Sequence, residues 1–264
     1  MCKTPQPSID YRGLYYYNYS MEKYTFEIEY VLKNDIKNWL AAVNEGEFEE
    51  KKWKDGLYGY YLEEFEKIVS MKNSKKVEKE IEDFVLAHFG EYIFGKQQEI
   101  EAEYTEKFLD VCEYIERLTG KALAVKHIKI YLTTFPRAPY SLEDGVVYFC
   151  IFWNNAVGIL LHELLHMQVI KHWRENKKSD ISKLNEKDFV FLNESLTFLI
   201  NDFDDLSPNV KIDTGYEKHL TFRNELKKYW NKGCNFEELL SFSVAHIREY
   251  SVKRQMIEHK SVDF

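Results

Sequence analysis

Between Asn155 and Met167 the chain reads Asn-Ala-Val-Gly-Ile-Leu-Leu-His-Glu-Leu-Leu-His-Met, and this stretch restricts the fold more than any other. Ala156, Val157, Ile159, Leu160, Leu161, Leu164 and Leu165 surround its helical wheel with apolar side chains. A helix with no polar face belongs in a core, so the rest of the chain has to cover it. Into that core it carries His162, Glu163 and His166. At 3.6 residues per turn the two imidazoles share one face, a turn apart, where both can grip one metal ion. Glu163 is rotated a fraction of a turn from both. It is too close to act as a third ligand and well placed to reach a water on the metal, which is the logic of an H-E-x-x-H pattern. A chain of this composition would contain about 0.03 copies of the pattern by chance. Buried polar groups also need partners, so a surface helix with incidental histidines is the weaker reading.

With 264 residues, 45% of them hydrophobic, the chain can bury such a core in one large domain or two small ones. Its net charge is −8 and it has no basic stripe, which argues against a nucleic-acid partner. No apolar run reaches about 18 residues, so no membrane span is expected. The segment Met1–Pro7 lacks the apolar centre of a secretion signal. Cys2, Cys112, Cys150 and Cys234 are far apart and form no C-x-x-C pair. They are expected to be reduced thiols in a cytoplasmic protein rather than a disulfide frame or zinc knuckle.

The patterning predicts an α+β fold, predominantly helical, divided into a mostly helical region 1–120 and a core 121–264 that holds the metal helix and C-terminal helices. Residues 1–22 are Tyr-rich and irregular, and Tyr24–Leu32 fits either strand or helix. Ile36–Val43 is helical. Further helices are expected from Asn73 or Ser74 to Gly90 and from Gln97 to Leu118, the latter stopped by Thr119-Gly120. His127–Thr133 alternates as a strand. Val146–Trp153 is a continuous apolar, β-branched and aromatic run, hence a second strand directly before the metal helix. That strand is either an ordinary interior one or an edge able to pair with an extended peptide. Arg174–Lys183 is polar and expected to be an exposed loop. Helices follow at 186–205, 216–231 and 236–259.

A catalytic metal commonly has three protein ligands and a water. Glu194 is one candidate for the third, on a downstream helix where it shares a stripe with Thr197, Asn201 and Asp205. That stripe could line a site or face water. His172 is another, at the outer spacing of the longer H-E-x-x-H-x-x-G-x-x-H motif. The glycine that lets that motif turn back is here Val169, and β-branched residues resist positive φ. If the helix simply continues, His172 points elsewhere. Asp202, Asp204, Asp205 and Glu186 remain as further acids.

His162-Glu163-x-x-His166 followed by Asn193-Glu194 resembles the zincin metallopeptidases, in particular the glutamate-ligand branch, the gluzincins. The order of strand, strand and metal helix is similar too, and the resemblance covers about residues 125–205. It implies a zincin-like core, a Zn2+ ion held by His162, His166 and Glu194, and Glu163 as general base in peptide-bond hydrolysis. The implied substrate is a peptide or protein. The family's outer acid, one turn past the third ligand, is absent because Phe198 stands there; Thr197 or Asn201 could replace it. A donor to the developing oxyanion is expected from the C-terminal third, with Tyr216, His219, Arg223, His246 and Tyr250 as candidates. The alternatives are a zincin-like interaction module without activity and a zinc hydrolase acting on a non-peptide substrate.

Overall fold

The computed structural model describes every residue except 1–7, 11–13, 21–22, 46, 49–50, 53–56, 58, 72–73, 204–212 and 262–264. It is mostly helical, with a mixed sheet, and is α+β. Contacts group the chain into two units, residues 1–107 with 126–156 and residues 108–125 with 157–264. Neither is one continuous segment.

The first unit is organised by a sheet in the order β1-β2-β3-β6-β8-β7. Its strands are β1 (Ser8–Asp10), β2 (Leu14–Ser20), β3 (Thr25–Tyr30), β6 (His127–Thr133), β7 (Tyr140–Ser141) and β8 (Val146–Cys150). A separate hairpin joins β4 (Glu47–Phe48) to β5 (Lys51–Lys52). Three strands therefore come from the first 30 residues, where the sequence suggests irregular chain over 1–22 and either strand or helix from Tyr24. In β3 the alternation is decisive: Phe26 and Ile28 are buried at 1% exposure, and they pair in parallel with Ile128 and Ile130 of β6. β8 runs parallel to β6 on one side and antiparallel to β7 on the other. It is thus an interior strand, buried on both faces at Val146, Val147, Phe149 and Cys150.

Helix α1 (Leu32–Glu45) is fastened to the end of β6 by Asp35. This fully buried carboxylate accepts hydrogen bonds from Thr133 Oγ1 (2.6 Å), Thr134 N (2.9 Å), Thr134 Oγ1 (2.7 Å) and Tyr30 OH (3.0 Å). Trp39 Nε1 donates to the same Thr134 hydroxyl at 2.9 Å. Burial raises the Asp35 pKa, and these donors oppose the rise. Helix α2 (Tyr60–Ser70) follows.

Helix α3 (Ser74–Thr119) is one uninterrupted element, where the sequence predicts two helices broken at Gly90. A glycine costs a helix only about 1 kcal/mol relative to alanine. Here the buried stripe Val85, Phe89, Ile93, Ile100 and Tyr104 keeps helical spacing past both Gly90 and Gly95. Gly120, at φ +66°, ends the helix as expected.

The second unit carries α4 (Ala156–Val169) from Val157 onward, α5 (Glu186–Leu196), α6 (Leu220–Trp230) and α7 (Phe236–Ser261). Val157, Leu160, Leu161, Leu164, Leu165 and Met167 of α4 are all at 3% exposure or less, so this is the core helix its composition demands. It runs on into a π-helical turn, Ile170–Arg174, and a 3-10 turn, Asp180–Lys183, interrupts the expected loop. Gln168, fully buried on α4, accepts from Ala124 N (2.8 Å) and donates to Thr119 Oγ1 (3.1 Å), Lys121 O (3.2 Å) and Ala122 O (3.0 Å). α5 is capped by the Asn185 side chain, which accepts from Asp188 N at 2.9 Å. The helix tightens to 3-10 geometry over Thr197–Asp202, so the expected 186–205 helix is shorter and of two kinds. Among the described residues no helix is long and apolar enough to cross a membrane.

Candidate metal centre

The two histidines of α4 do point at one place. Their Nε2 atoms lie 2.9 Å apart, with the rings nearly perpendicular at 83°. Glu194 reaches the same point from α5, with Oε1 3.4 Å from His166 Nε2 and Oε2 3.7 Å from His162 Nε2. All three donor atoms fall within 4.8 Å of one another. Donors at about 2.0–2.1 Å from a tetrahedral ion lie about 3.3 Å apart, and the distance between the two Nε2 atoms and the distance from each to its nearer Glu194 oxygen lie around that value. The donor set, two imidazoles and a carboxylate, therefore suits a divalent metal in both chemistry and spacing. Access is uneven: the His162 side chain is 25% exposed, Glu194 12% and His166 3%, so the cluster opens on the His162 side.

His172 is not part of the cluster. Its Nε2 donates to the Ala122 carbonyl at 2.8 Å. The helix neither breaks nor turns back after Val169 but continues into the π turn, which carries the ring away from the metal position. Of the stripe on Glu194, Thr197 is buried and Asn201 half-buried, while Asp205, like Asp204, lies outside the described residues.

A residue that sequence reasoning missed meets His162 from its other ring nitrogen. Asp213 lies just before α6 and accepts from His162 Nδ1 through Oδ2 at 2.9 Å. The bond fixes the proton on Nδ1 and leaves Nε2 facing the cluster. Asn201, a proposed replacement for the acid absent from position 198, instead holds the Asp213 backbone, with Nδ2 donating to its carbonyl and Oδ1 accepting from its N–H, both at 2.8 Å. Arg223 donates through one terminal nitrogen to the Glu194 carbonyl (3.0 Å) and Thr197 Oγ1 (2.6 Å). Its other terminal nitrogen donates to the Asp213 carbonyl (3.1 Å) and Oδ1 (2.9 Å). An aspartate 19 residues past Glu194 has no fixed spacing to betray it; only its place ahead of an amphipathic helix was visible.

The charges settle each other. Burial opposes ionisation of Glu194, but the two imidazoles, His166 first, outweigh it and hold the carboxyl at about 2. Burial likewise works against the Asp213 charge, and the His162 hydrogen bond together with the His162 and Arg223 charges brings it to about 2. Burial disfavours the His162 imidazolium, yet the Asp213 bond and the charges of Glu163, Glu194 and Asp213 raise it to about 9. Glu163 is shifted upward, chiefly by burial, with both histidines pulling the other way. In the metal-free fold the Glu194 and Asp213 carboxylates are thus matched by the His162 imidazolium and the Arg223 guanidinium.

Of the candidate oxyanion donors, Arg223 is committed to the contacts above and His219 is fully buried, edge-on to Phe191 and Tyr216. His246 Nδ1 donates to the Phe242 carbonyl at 2.7 Å, and Tyr250 packs on Phe222. Tyr216, 39% exposed, keeps an accessible surface.

No protein-family model, curated protein or solved structure matches the chain.

Proposed function

We propose that the chain is a zinc-dependent metallopeptidase with a gluzincin-like site, in which His162, His166 and Glu194 hold Zn2+ and Glu163 is the general base. The observation that carries this reading is the convergence of three donor atoms from two separate helices beside a buried glutamate. A zinc ion held there supplies Lewis acidity, bringing the pKa of a coordinated water towards neutrality. Everything else falls to the chain. A Glu163 carboxylate oxygen takes a proton from the attacking water and returns it to the nitrogen of the leaving amine. Burial shifts its pKa upward, the direction that suits a group which both accepts and returns a proton. Asp213 Oδ2 holds the His162 Nδ1 proton, so the ring keeps one tautomer and one orientation. Of the candidate oxyanion donors Tyr216 is the one that is exposed, and we assign it to the carbonyl oxygen of the substrate.

The substrate is a peptide or protein, and the setting we propose is the cytoplasm. Cys150 and Cys234 are free, which suits a reducing compartment. The test is Glu163→Gln, read by metal content and by turnover of a fluorogenic peptide library. Zinc should be retained while hydrolysis drops by roughly 100- to 10,000-fold. Undiminished hydrolysis in that variant would overturn the assignment.

A further inference from the structure

Arg223 is buried, with its side chain 5% exposed, and none of its hydrogen bonds in the site goes to a metal-facing atom. Its four acceptors lie on two segments that have to be held in register. One is the end of α5, through the Glu194 carbonyl and Thr197 Oγ1. The other is Asp213, through its carbonyl and Oδ1. The planar guanidinium presents its donors in a fixed fork, so these contacts define an orientation as well as supplying a charge.

The division of labour on the Asp213 carboxylate is equally specific. Oδ1 is taken by Arg223 and by Gly215 N at 2.8 Å, and Oδ2 is left for His162. Gly215, at φ +65°, leaves room for this arrangement. A Cβ there would lie 2.8 Å from the Arg223 side-chain atoms Cδ, Nε and Cζ, a distance that forces the guanidinium to move.

We infer that Arg223 is a positioning residue for the metal centre: its fork fixes the Asp213 carboxylate against His162 and the α5 backbone beside Glu194, and so presets two of the three ligands. This rests on the metal-binding reading above and adds to it a residue that touches neither metal nor substrate. A single ammonium cannot occupy both prongs, so lysine, which preserves the charge, will not preserve the orientation.

The test is Zn2+ affinity of the full chain, measured by competition with a chromophoric chelator for wild type, Arg223→Met, Arg223→Lys, Asp213→Asn and the Arg223→Met/Asp213→Asn pair, with circular dichroism on each. Wild-type protein that binds no Zn2+ would remove the metal reading itself. If wild type binds, Arg223→Met and Asp213→Asn should each weaken affinity about 10- to 100-fold. The pair should be weakened by less than the product of the two single losses, because part of the arginine's effect runs through that aspartate. Arg223→Lys, which keeps the buried charge balanced should Arg223→Met fail to fold, should still lose about 10-fold. Wild-type affinity in Arg223→Lys, or losses that simply multiply in the pair, would overturn the inference.

Discussion

Replacing Gln168 by leucine should destabilise the chain by about 2–4 kcal/mol. The side chain is fully buried on the metal helix and makes four hydrogen bonds to residues 119–124. Not every partner is orphaned by its loss. The Ala122 carbonyl still receives His172 Nε2, and the Thr119 hydroxyl still donates to the Ile115 carbonyl. The Ala124 N–H and the Lys121 carbonyl lose the bond they make to Gln168. Ala124 and Lys121 are half-buried, so each stranded group costs the lower part of the about 1–3 kcal/mol of a buried one, and leucine fills nearly the same volume, so little cavity cost is added. With a urea m-value of about 3 kcal/mol/M for a chain of this size, the unfolding midpoint should fall by roughly 1 M. Urea titration followed by circular dichroism measures it directly. A midpoint unchanged, or raised by the added apolar surface, would show that residues 119–124 are not anchored through this amide.

Two further outcomes bear on the site. Glu194→Gln should weaken Zn2+ binding by more than the 10- to 100-fold typical of outer contacts, whereas His172→Ala should leave affinity unchanged; the reverse pattern in a chelator competition would restore His172 as the ligand. Glu194 and Asp213 ionise in the metal-free fold at about 2, below their ordinary 4.5 and 3.8. Depressed carboxylates stabilise the fold fully above the ordinary values, and that contribution disappears as pH falls towards 2. Melting temperatures of metal-free protein should therefore drop on acidification from about pH 5 to pH 2, with a shallower drop in Glu194→Gln/Asp213→Asn.

Where side-chain period and burial agree, the sequence was a sufficient guide. The apolar wrap of α4 forced it into the core, and the i, i+4 spacing alone put His162 and His166 on one face. His127–Thr133 is the strand its alternation predicts. The misreadings come from the places where distant residues decide. Gly90 reads locally as a stop because an isolated glycine favours one; an apolar stripe in register on both sides overrides a penalty of about 1 kcal/mol. Residues 14–16 are drawn into a strand by pairing with β1 and residues 17–20 by pairing with β3, partners that local pattern does not reveal. Asp213 looked like any loop aspartate because its meaning depends on His162, 51 residues earlier.

The parallel pairing of Thr25 with His127 joins positions 102 residues apart. A ribosome adding about 5–20 residues per second needs on the order of 5–20 s to make the second strand after the first. Throughout that interval the flank of β3 that will receive β6 has no permanent neighbour, and the nascent β2–β3 pair must remain soluble with one open edge. Glu27 and Glu29, alternating along that strand, put negative charge on the waiting ribbon and discourage two nascent chains from pairing with each other.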